Sequence, residues 1–315
     1  VWVAATGGSQ RWDGQRWASR FTINDVVGST EDNLWVSGAE LDADGNPALS
    51  RVMAWDGDQW TSVLQVPWVH GFNLWRSPTG EVWAQTRQVP AERGDKVLVY
   101  VAQDPRDERG WQERHPDFTF TSGYGGLFGA ASGEVWIGGS YDTARWDGTK
   151  WNRHSMGDYC MGFFQGAGGP LWMATFGGPM QWDGVGKRWV EDRSDPAFHV
   201  SPATHYFGCI AGATKDQIWM AGFERQNGDG RLATFGGAGW KVAAGPTRYS
   251  HDSCLADGQG RLWTTGGDVL RYDGANVVAV DPEVARGPTT IRRTGANDLW
   301  LKSYGATGFL LHYRP

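Results

Sequence analysis

The chain has 315 residues and a formal net charge of −6. It has no Lys/Arg cluster beyond the pair Arg292-Arg293, so sequence-independent nucleic-acid binding lacks its electrostatic footing, and no apolar run reaches the roughly 18 residues of a membrane span. Trp is far above its usual share at 20 residues and Gly is high at 46, whereas the long Leu/Ala/Glu/Lys runs that make helices are missing.

Taken in order, the chain repeats one unit. The first half of the unit is a short apolar run with Trp in second place, as in Leu34-Trp35-Val36-Ser37-Gly38, Val135-Trp136-Ile137-Gly138 and Ile218-Trp219-Met220-Ala221-Gly222. Its anchors are Trp2, Trp35, Trp83, Trp136, Trp172, Trp219, Trp263 and Trp300, spaced 33 to 53 residues apart. That is the spacing of units built from four short strands. The second half closes on Trp-Asp-Gly and a further Trp: Trp12-Asp13-Gly14 with Trp17, Trp55-Asp56-Gly57 with Trp60, Trp146-Asp147-Gly148 with Trp151, and Trp182-Asp183-Gly184 with Trp189. Tyr272-Asp273-Gly274 and the stretch from Phe235 to Trp240 are worn copies. Asp-Gly between two β runs predicts a type I′ hairpin turn, with positive φ at both central residues. The aspartates at 13, 56, 147, 183 and 273 are therefore expected to be turn residues and not catalytic carboxylates.

A third element precedes most anchors: Asp25 to Gly28, Phe72 to Trp75, Gly126 to Gly129, Gly162 to Gln165, Gly208 to Ala211, Ser253 to Ala256 and Thr290 to Arg293. Its small residues suit a crowded inner strand. Each unit then consists of inner strand A, Trp-bearing strand B, strand C ending at Trp-Asp-Gly, and outer strand D. The repeated Trp side chains are expected to wedge between stacked units, each N–H finding a partner.

This arrangement resembles bacterial β-propellers with Leu-Trp-x-x-Gly and Trp-Asp-Gly-x-x-Trp repeats, the kin of two-component-regulator sensor propellers and of secreted Trp-Asp-Gly repeat proteins. The resemblance covers nearly the whole chain. It implies a single all-β propeller domain over residues 1–315, made of four-stranded blades and placed outside the cell, in the periplasm or at the cell surface. Eight intact anchors favour eight blades; the alternative is seven, with Thr290 to Arg293 as the inner strand of the first blade. Propellers host receptors, lectins, lyases and oxidoreductases, so the fold leaves function open.

Function is expected where the repeats differ, in the D–A and B–C loops of one face. About twelve to fourteen residues before successive anchors stand His70, Tyr124, Tyr159, His205 with Tyr206, and Tyr249 with His251. Arg87, Tyr141, Phe176, Arg225 and Tyr304 fall in B–C loops of the same rim. His70, Tyr124, Arg87, Tyr141, Phe176, Arg225 and Tyr304 are the expected ligand contacts, and the leading expectation is a module that binds a glycan or a protein partner without chemistry of its own. The alternative is a polysaccharide lyase or hydrolase with His205 or His251 as base and Tyr159 or Tyr206 as acid, since a His/Tyr/Arg rim can move a proton beside a uronate carboxylate. A second alternative is a metal site. The three cysteines, Cys160, Cys209 and Cys254, begin the inner strands of three consecutive units and, with His205 and His251, have the donor types of a transition-metal site. A Cys209–Cys254 disulfide and plain apolar filling are the competing readings. Asp42-Ala43-Asp44-Gly45-Asn46 looks like half a calcium loop but lacks the distal Glu.

Overall fold

The computed structural model describes residues 2–5, 8–12, 17–30, 33–42, 47–67, 69, 71–87, 97–119, 122–199, 205–245, 253–257, 259–265, 269–273, 276–279, 288–295, 298–303 and 310–313. Before residue 23 and after residue 292 the description is of backbone alone. The chain is all-β. Among the described residues there is no α-helix, only 3-10 turns at Glu108–Gly110 and Pro196–His199.

The strands pack into two compact units, one formed by Val1–Thr121 with Arg292–Pro315 and the other by Ser122–Ile291. In the first, β1 (Trp2–Ala5), β2 (Gly8–Trp12), β3 (Trp17–Thr30), β4 (Asn33–Leu41), β5 (Pro47–Trp55) and β6 (Trp60–Pro67) form one six-stranded antiparallel meander. A four-stranded sheet follows, of β7 (Asn73–Arg76), β8 (Val82–Arg87), β9 (Val97–Ala102) and β10 (Trp111–Glu113). In the second unit, four-stranded meanders are formed by β11 (Ser122–Gly129), β12 (Val135–Gly139), β13 (Asp142–Trp146) and β14 (Trp151–Ser155), by β15 (Cys160–Gln165), β16 (Leu171–Thr175), β17 (Pro179–Asp183) and β18 (Arg188–Glu191), by β19 (His205–Thr214), β20 (Gln217–Glu224), β21 (Gly230–Phe235) and β22 (Trp240–Ala244), and by β23 (Ser253–Ala256), β24 (Leu262–Thr265), β25 (Val269–Tyr272) and β26 (Val277–Ala279). The last sheet has three strands, β27 (Pro288–Gly295), β28 (Asp298–Ser303) and β29 (Leu310–Tyr313).

The A–B–C–D assignment matches these sheets, with one difference. Outer strand D of the first repeat and inner strand A of the second are a single strand, β3, which pairs with β2 through Trp17 to Phe21 and with β4 from Phe21 to Thr30. Nothing in Ala18 to Asn24 breaks a strand, whereas Gly or Pro punctuates the corresponding stretches further on.

Neighbouring inner strands lie side by side. In the second unit β11 packs on β15, β15 on β19 and β19 on β23; in the first, β3 packs on β7. Side chains tie these strands together. Asp25, only 2% exposed, accepts from Leu74 N (2.9 Å) through Oδ2 and from Val26 N (3.0 Å) through Oδ1. Its Oδ1 also accepts from Arg292 Nε at 2.9 Å, which supplies the countercharge a buried carboxylate needs.

The anchor Trp136 and Trp172 side chains occupy seams between sheets. Trp136 of β12 is fully buried against Trp182 and Trp189 of the next sheet, with ring centroids 4.7 and 5.3 Å apart, both edge-to-face. Trp172 of β16 meets Trp240 edge-to-face at 5.5 Å and Phe235 in a tilted contact at 5.2 Å. The worn copy thus keeps its packing role although its Trp-Asp-Gly is gone. The expectation that each indole N–H finds a partner holds for Trp35 with Pro105 O, Trp189 with Thr143 Oγ1 and Trp263 with Asp257 Oδ2. It fails for Trp136, Trp172 and Trp240, whose Nε1 atoms are buried with no hydrogen-bond partner. Their surroundings are aromatic, and a ring face is the weak acceptor such a seam offers.

The Asp-Gly turns are tight hairpins, but not of the expected type. Gly57 and Gly148 have φ of 102° and 99°, while neither Asp56 nor Asp147 has positive φ. The aspartate instead closes the loop with its side chain. Asp147 Oδ1 accepts from Thr149 N (3.0 Å) and Lys150 N (2.9 Å), Asp56 Oδ1 from Asp58 N and Gln59 N, and Asp183 Oδ1 from Val185 N and Gly186 N. These bonds hold all three carboxyls below the usual range, those from backbone N–H contributing most. Asp273 accepts from Asn276 N at 2.7 Å; Asp13, Asp44 and Asn46 lie outside the described residues.

His154 of β14 sits half-buried against Trp182 (4.7 Å) and Trp136 (5.7 Å). Burial first, and then the Arg145 charge, lower its pKa from 6.5. The unfolded chain therefore binds this proton more readily than the folded protein does. The stability involved is fully present above the unfolded value and is lost as pH falls through the lowered one. The melting temperature should drop as pH falls below the ordinary histidine value of 6.5, and His154→Gln should flatten that drop; a slope equal to wild type would show that His154 is not its source. His205 is shifted in the same direction, so some slope should persist.

Candidate ligand-binding face

Two of the expected contact residues, Tyr141 and Phe176, and two expected catalytic residues, Tyr159 and Tyr206, form a single aromatic row in the second unit. Tyr141 lies in the turn between β12 and β13, Tyr159 just before β15, Phe176 in the turn between β16 and β17, and Tyr206 near the start of β19. Ring centroids step from Tyr141 to Tyr159 in 5.0 Å, to Phe176 in 4.8 Å with planes only 14° apart, and to Tyr206 in 4.3 Å. Phe223 of β20 completes the row, 4.9 Å from Tyr206. Sequence reasoning missed it. The available signal was position: Tyr141, Phe176 and Phe223 each stand four or five residues after an anchor Trp, at the B–C corner.

The row is held from behind. Asp158 Oδ1 accepts from Tyr159 N at 2.7 Å and its Oδ2 from Gly177 N at 2.8 Å, fastening the loop after β14 to the loop after β16. Gly178 has φ of 142°, a conformation that glycine alone adopts without strain, and its carbonyl accepts from Thr175 Oγ1 at 2.8 Å. The Tyr141 and Tyr159 hydroxyls lie 3.4 Å apart. That contact, more than the nearby Asp158 charge, pushes the Tyr159 phenol above 10.0, so it stays neutral at neutral pH. Tyr141 is 55% exposed and the other four rings are part-exposed, an apolar row open to solvent on a rigid frame. Contiguous apolar surface of this kind marks an interaction site.

Beside the row, at residues that adjoin Tyr159 and Phe176 in the chain, lies a cavity of about 420 Å³. Its walls include Met156, Met180 and Phe198, together with Asp158, Glu191, Asp192 and Arg193. Asp158 and Gly177, which line it, are the chain neighbours of Tyr159 and Phe176.

The expected His205/Tyr206 acid–base pair does not come together. In β19 His205 pairs with Glu224 of β20 and Tyr206 with Phe223, and successive strand residues point to opposite faces. Tyr206 joins the aromatic row. His205 lies on the other face with Phe207, whose ring is parallel to it at 6.3 Å, and beside the Glu224–Arg231 ion pair. Burial first, then Arg231, lower the His205 pKa. Arg225 is exposed in the turn after β20. His70, His251, Tyr249 and Tyr304 lie outside the described residues, as do the side chains of Arg87 and Tyr124.

The cysteines resolve differently from the metal reading. Cys209 of β19 and Cys254 of β23 form a disulfide, with Cα atoms 5.7 Å apart, which removes two thiolates from any ligand set. Cys160 is free and fully buried, and burial pushes its thiol far above the usual range. Among the described residues, no group of three His, Cys, Asp or Glu is arranged to hold a metal ion. Asn227 and Asp229 form a local turn, Asp229 N donating to Asn227 Oδ1 at 2.9 Å.

No protein-family model matches this sequence, and no curated protein matches it either. Solved structures do. A structure of YCF48 bound to a D1 peptide is similar, with a TM-score of 0.62 at 13% identity, covering 94% of each chain. The β-propeller domain of the Trilobed protease from Pyrococcus furiosus is similar at a TM-score of 0.58 and 10% identity, covering 93% of each chain. The fold is that of a β-propeller. Virginiamycin B lyase from Staphylococcus aureus shares it at a TM-score of 0.52 and 16% identity, over 78% of this chain and 84% of the lyase. At such identities the likeness is one of fold alone, and the propeller's function has to be argued from its own side chains.

Proposed function

We propose that this propeller is a binding module that captures a glycan or a segment of a protein partner on the face carrying Tyr141, Tyr159, Phe176, Tyr206 and Phe223. The observation that carries the reading is the row itself: five rings drawn from three consecutive sheets, stepping by 4.3 to 5.0 Å and open to solvent. A core needs no such row. The seams are already filled by Trp136, Trp172 and their partners. Rigid aromatic side chains give large contact area at small entropic cost, and such residues dominate binding energies. Among the solved structures of this fold, the YCF48 structure holds a peptide, which supports an interaction role for such a face.

Two finer readings accompany it. The Cys209–Cys254 disulfide favours an oxidising compartment, in keeping with a secreted or cell-surface module. The Arg292–Asp25 contact seats β27 beside the inner half of β3, which favours seven inner strands over eight, with β1 and β2 as an added hairpin.

A combined glycan array and peptide display on intact protein is expected to yield binders that Tyr141→Ala with Phe223→Ala weakens at least tenfold, which corresponds to about 1.4 kcal/mol. Binders indifferent to that double substitution would place the site elsewhere.

A further inference from the structure

The structure assigns the cavity beside the aromatic row to a basic side chain, Lys or Arg, of an extended peptide segment from a protein partner. This rests on the binding reading above and names the chemistry of its partner. Three observations converge on it. The first is shape and lining. A space of about 420 Å³ walled by Met156, Met180 and Phe198 suits the aliphatic stem of a long charged side chain, which buries its carbons while its head finds polar partners. The second is charge. Asp158, Glu191 and Asp192 line the same space, and Arg193, the one cation among its described lining residues, is bound to Glu191 Oε2 through Nε (3.1 Å) and Nη2 (2.8 Å). Among the described residues, no hydrogen bond reaches Glu191 Oε1 or Asp192 Oδ2, so both can accept from a ligand, whereas Asp192 Oδ1 is taken by Ser194 N at 2.8 Å. A neutral sugar leaves this charge unmatched on losing water, and a uronate is repelled by it. The third is continuity. Asp158 adjoins Tyr159 and Gly177 adjoins Phe176, so a strand-like peptide lying along the rings passes the cavity mouth within one or two residues, at about 3.3–3.6 Å per residue. Ring faces also attract cations, and the chain's net charge of −6 favours approach of a basic partner.

The test is selection of a displayed random 12-residue peptide library on intact protein, followed by titration of the synthetic winners. The expected winners carry Lys or Arg at one fixed position beside apolar or aromatic residues. Replacing that basic residue with Met, or using Glu191→Gln with Asp192→Asn, should weaken binding at least tenfold, and raised salt should weaken it too. Asn at 192 keeps the acceptor for Ser194 N, and unchanged near-ultraviolet circular dichroism shows that the fold is retained. Winners without a fixed basic residue, or binding unmoved by the double substitution, overturn the assignment. If such winners still depend on Tyr141 and Phe223, the binding face stands and the cavity assignment alone fails. If only glycans bind, the partner class is wrong; if neither peptide nor glycan binds, both readings fall.

Discussion

Trp136→Ala should cost about 3–5 kcal/mol of stability, the upper range for deleting a large buried side chain. The indole is completely buried, packs edge-to-face on Trp182 and Trp189, and also touches Phe163 and His154. Arg145 lies over its ring at 5.9 Å, so the substitution also strips a cation of its aromatic partner. The seam has little means of collapsing, because its other rings are fixed by their own strands. Urea unfolding followed by Trp fluorescence measures the loss. A cost below about 1 kcal/mol would mean that the seam repacks and that the repeated Trp is not the wedge between sheets. Tyr141→Ala is the natural contrast. At 55% exposure it should change stability by no more than about 0.5 kcal/mol while impairing binding.

Removing the Cys209–Cys254 disulfide should cost up to about 4 kcal/mol, from the chain entropy of closing a loop with a sequence separation of 45 residues. The bond joins inner strands β19 and β23, and β19 also presents Tyr206 to the aromatic row three residues before Cys209. Cys209→Ser with Cys254→Ser should therefore lower the melting temperature and weaken ligand binding together. Thiol titration checks the premise: the native protein should show no reactive thiol, the denatured protein one (Cys160), and the denatured and reduced protein three. Three thiols without reductant would contradict the bond.

The scaffold was legible because its signals are local and repeated. Trp136, Trp172 and their second-half partners sit at fixed spacing, and spacing decides which faces of neighbouring sheets meet. Asp56, Asp147 and Asp183 were legible as turn residues, but not the mechanism. Asp-Gly pointed to a type I′ turn, whereas the carboxylates close the loops by accepting backbone N–H bonds, a choice that depends on loop length. The candidate site was legible in part. Tyr159 and Tyr206 are marked by their offset before the anchors, and Tyr141 and Phe176 by their place in the B–C loops of the same rim. Phe223 was passed over because it ends an apolar strand and reads as core. His205 and Tyr206 share one offset from the anchor, which places both near the rim, but neighbouring residues of a strand point to opposite faces. The cavity was not legible, since its walls come from the loop after β14, the turn between β16 and β17, the start of β17, the end of β18 with Asp192 and Arg193, and the turn at Pro196–His199, which only tertiary packing brings together. The cysteines were legible as neighbours on consecutive inner strands. Whether they bind metal or form a disulfide depends on the approach of Cys209 to Cys254, and spacing carries no information on that.

The central claim is that the scaffold is common to every repeat and the binding face is where the repeats differ. A crystal structure of the protein with a ligand obtained from the array or display tests it most directly. The account predicts ligand density along Tyr141, Tyr159, Phe176, Tyr206 and Phe223. Density centred instead on the repeated outer pairs, Trp55 with Trp60 or Trp146 with Trp151, would contradict it.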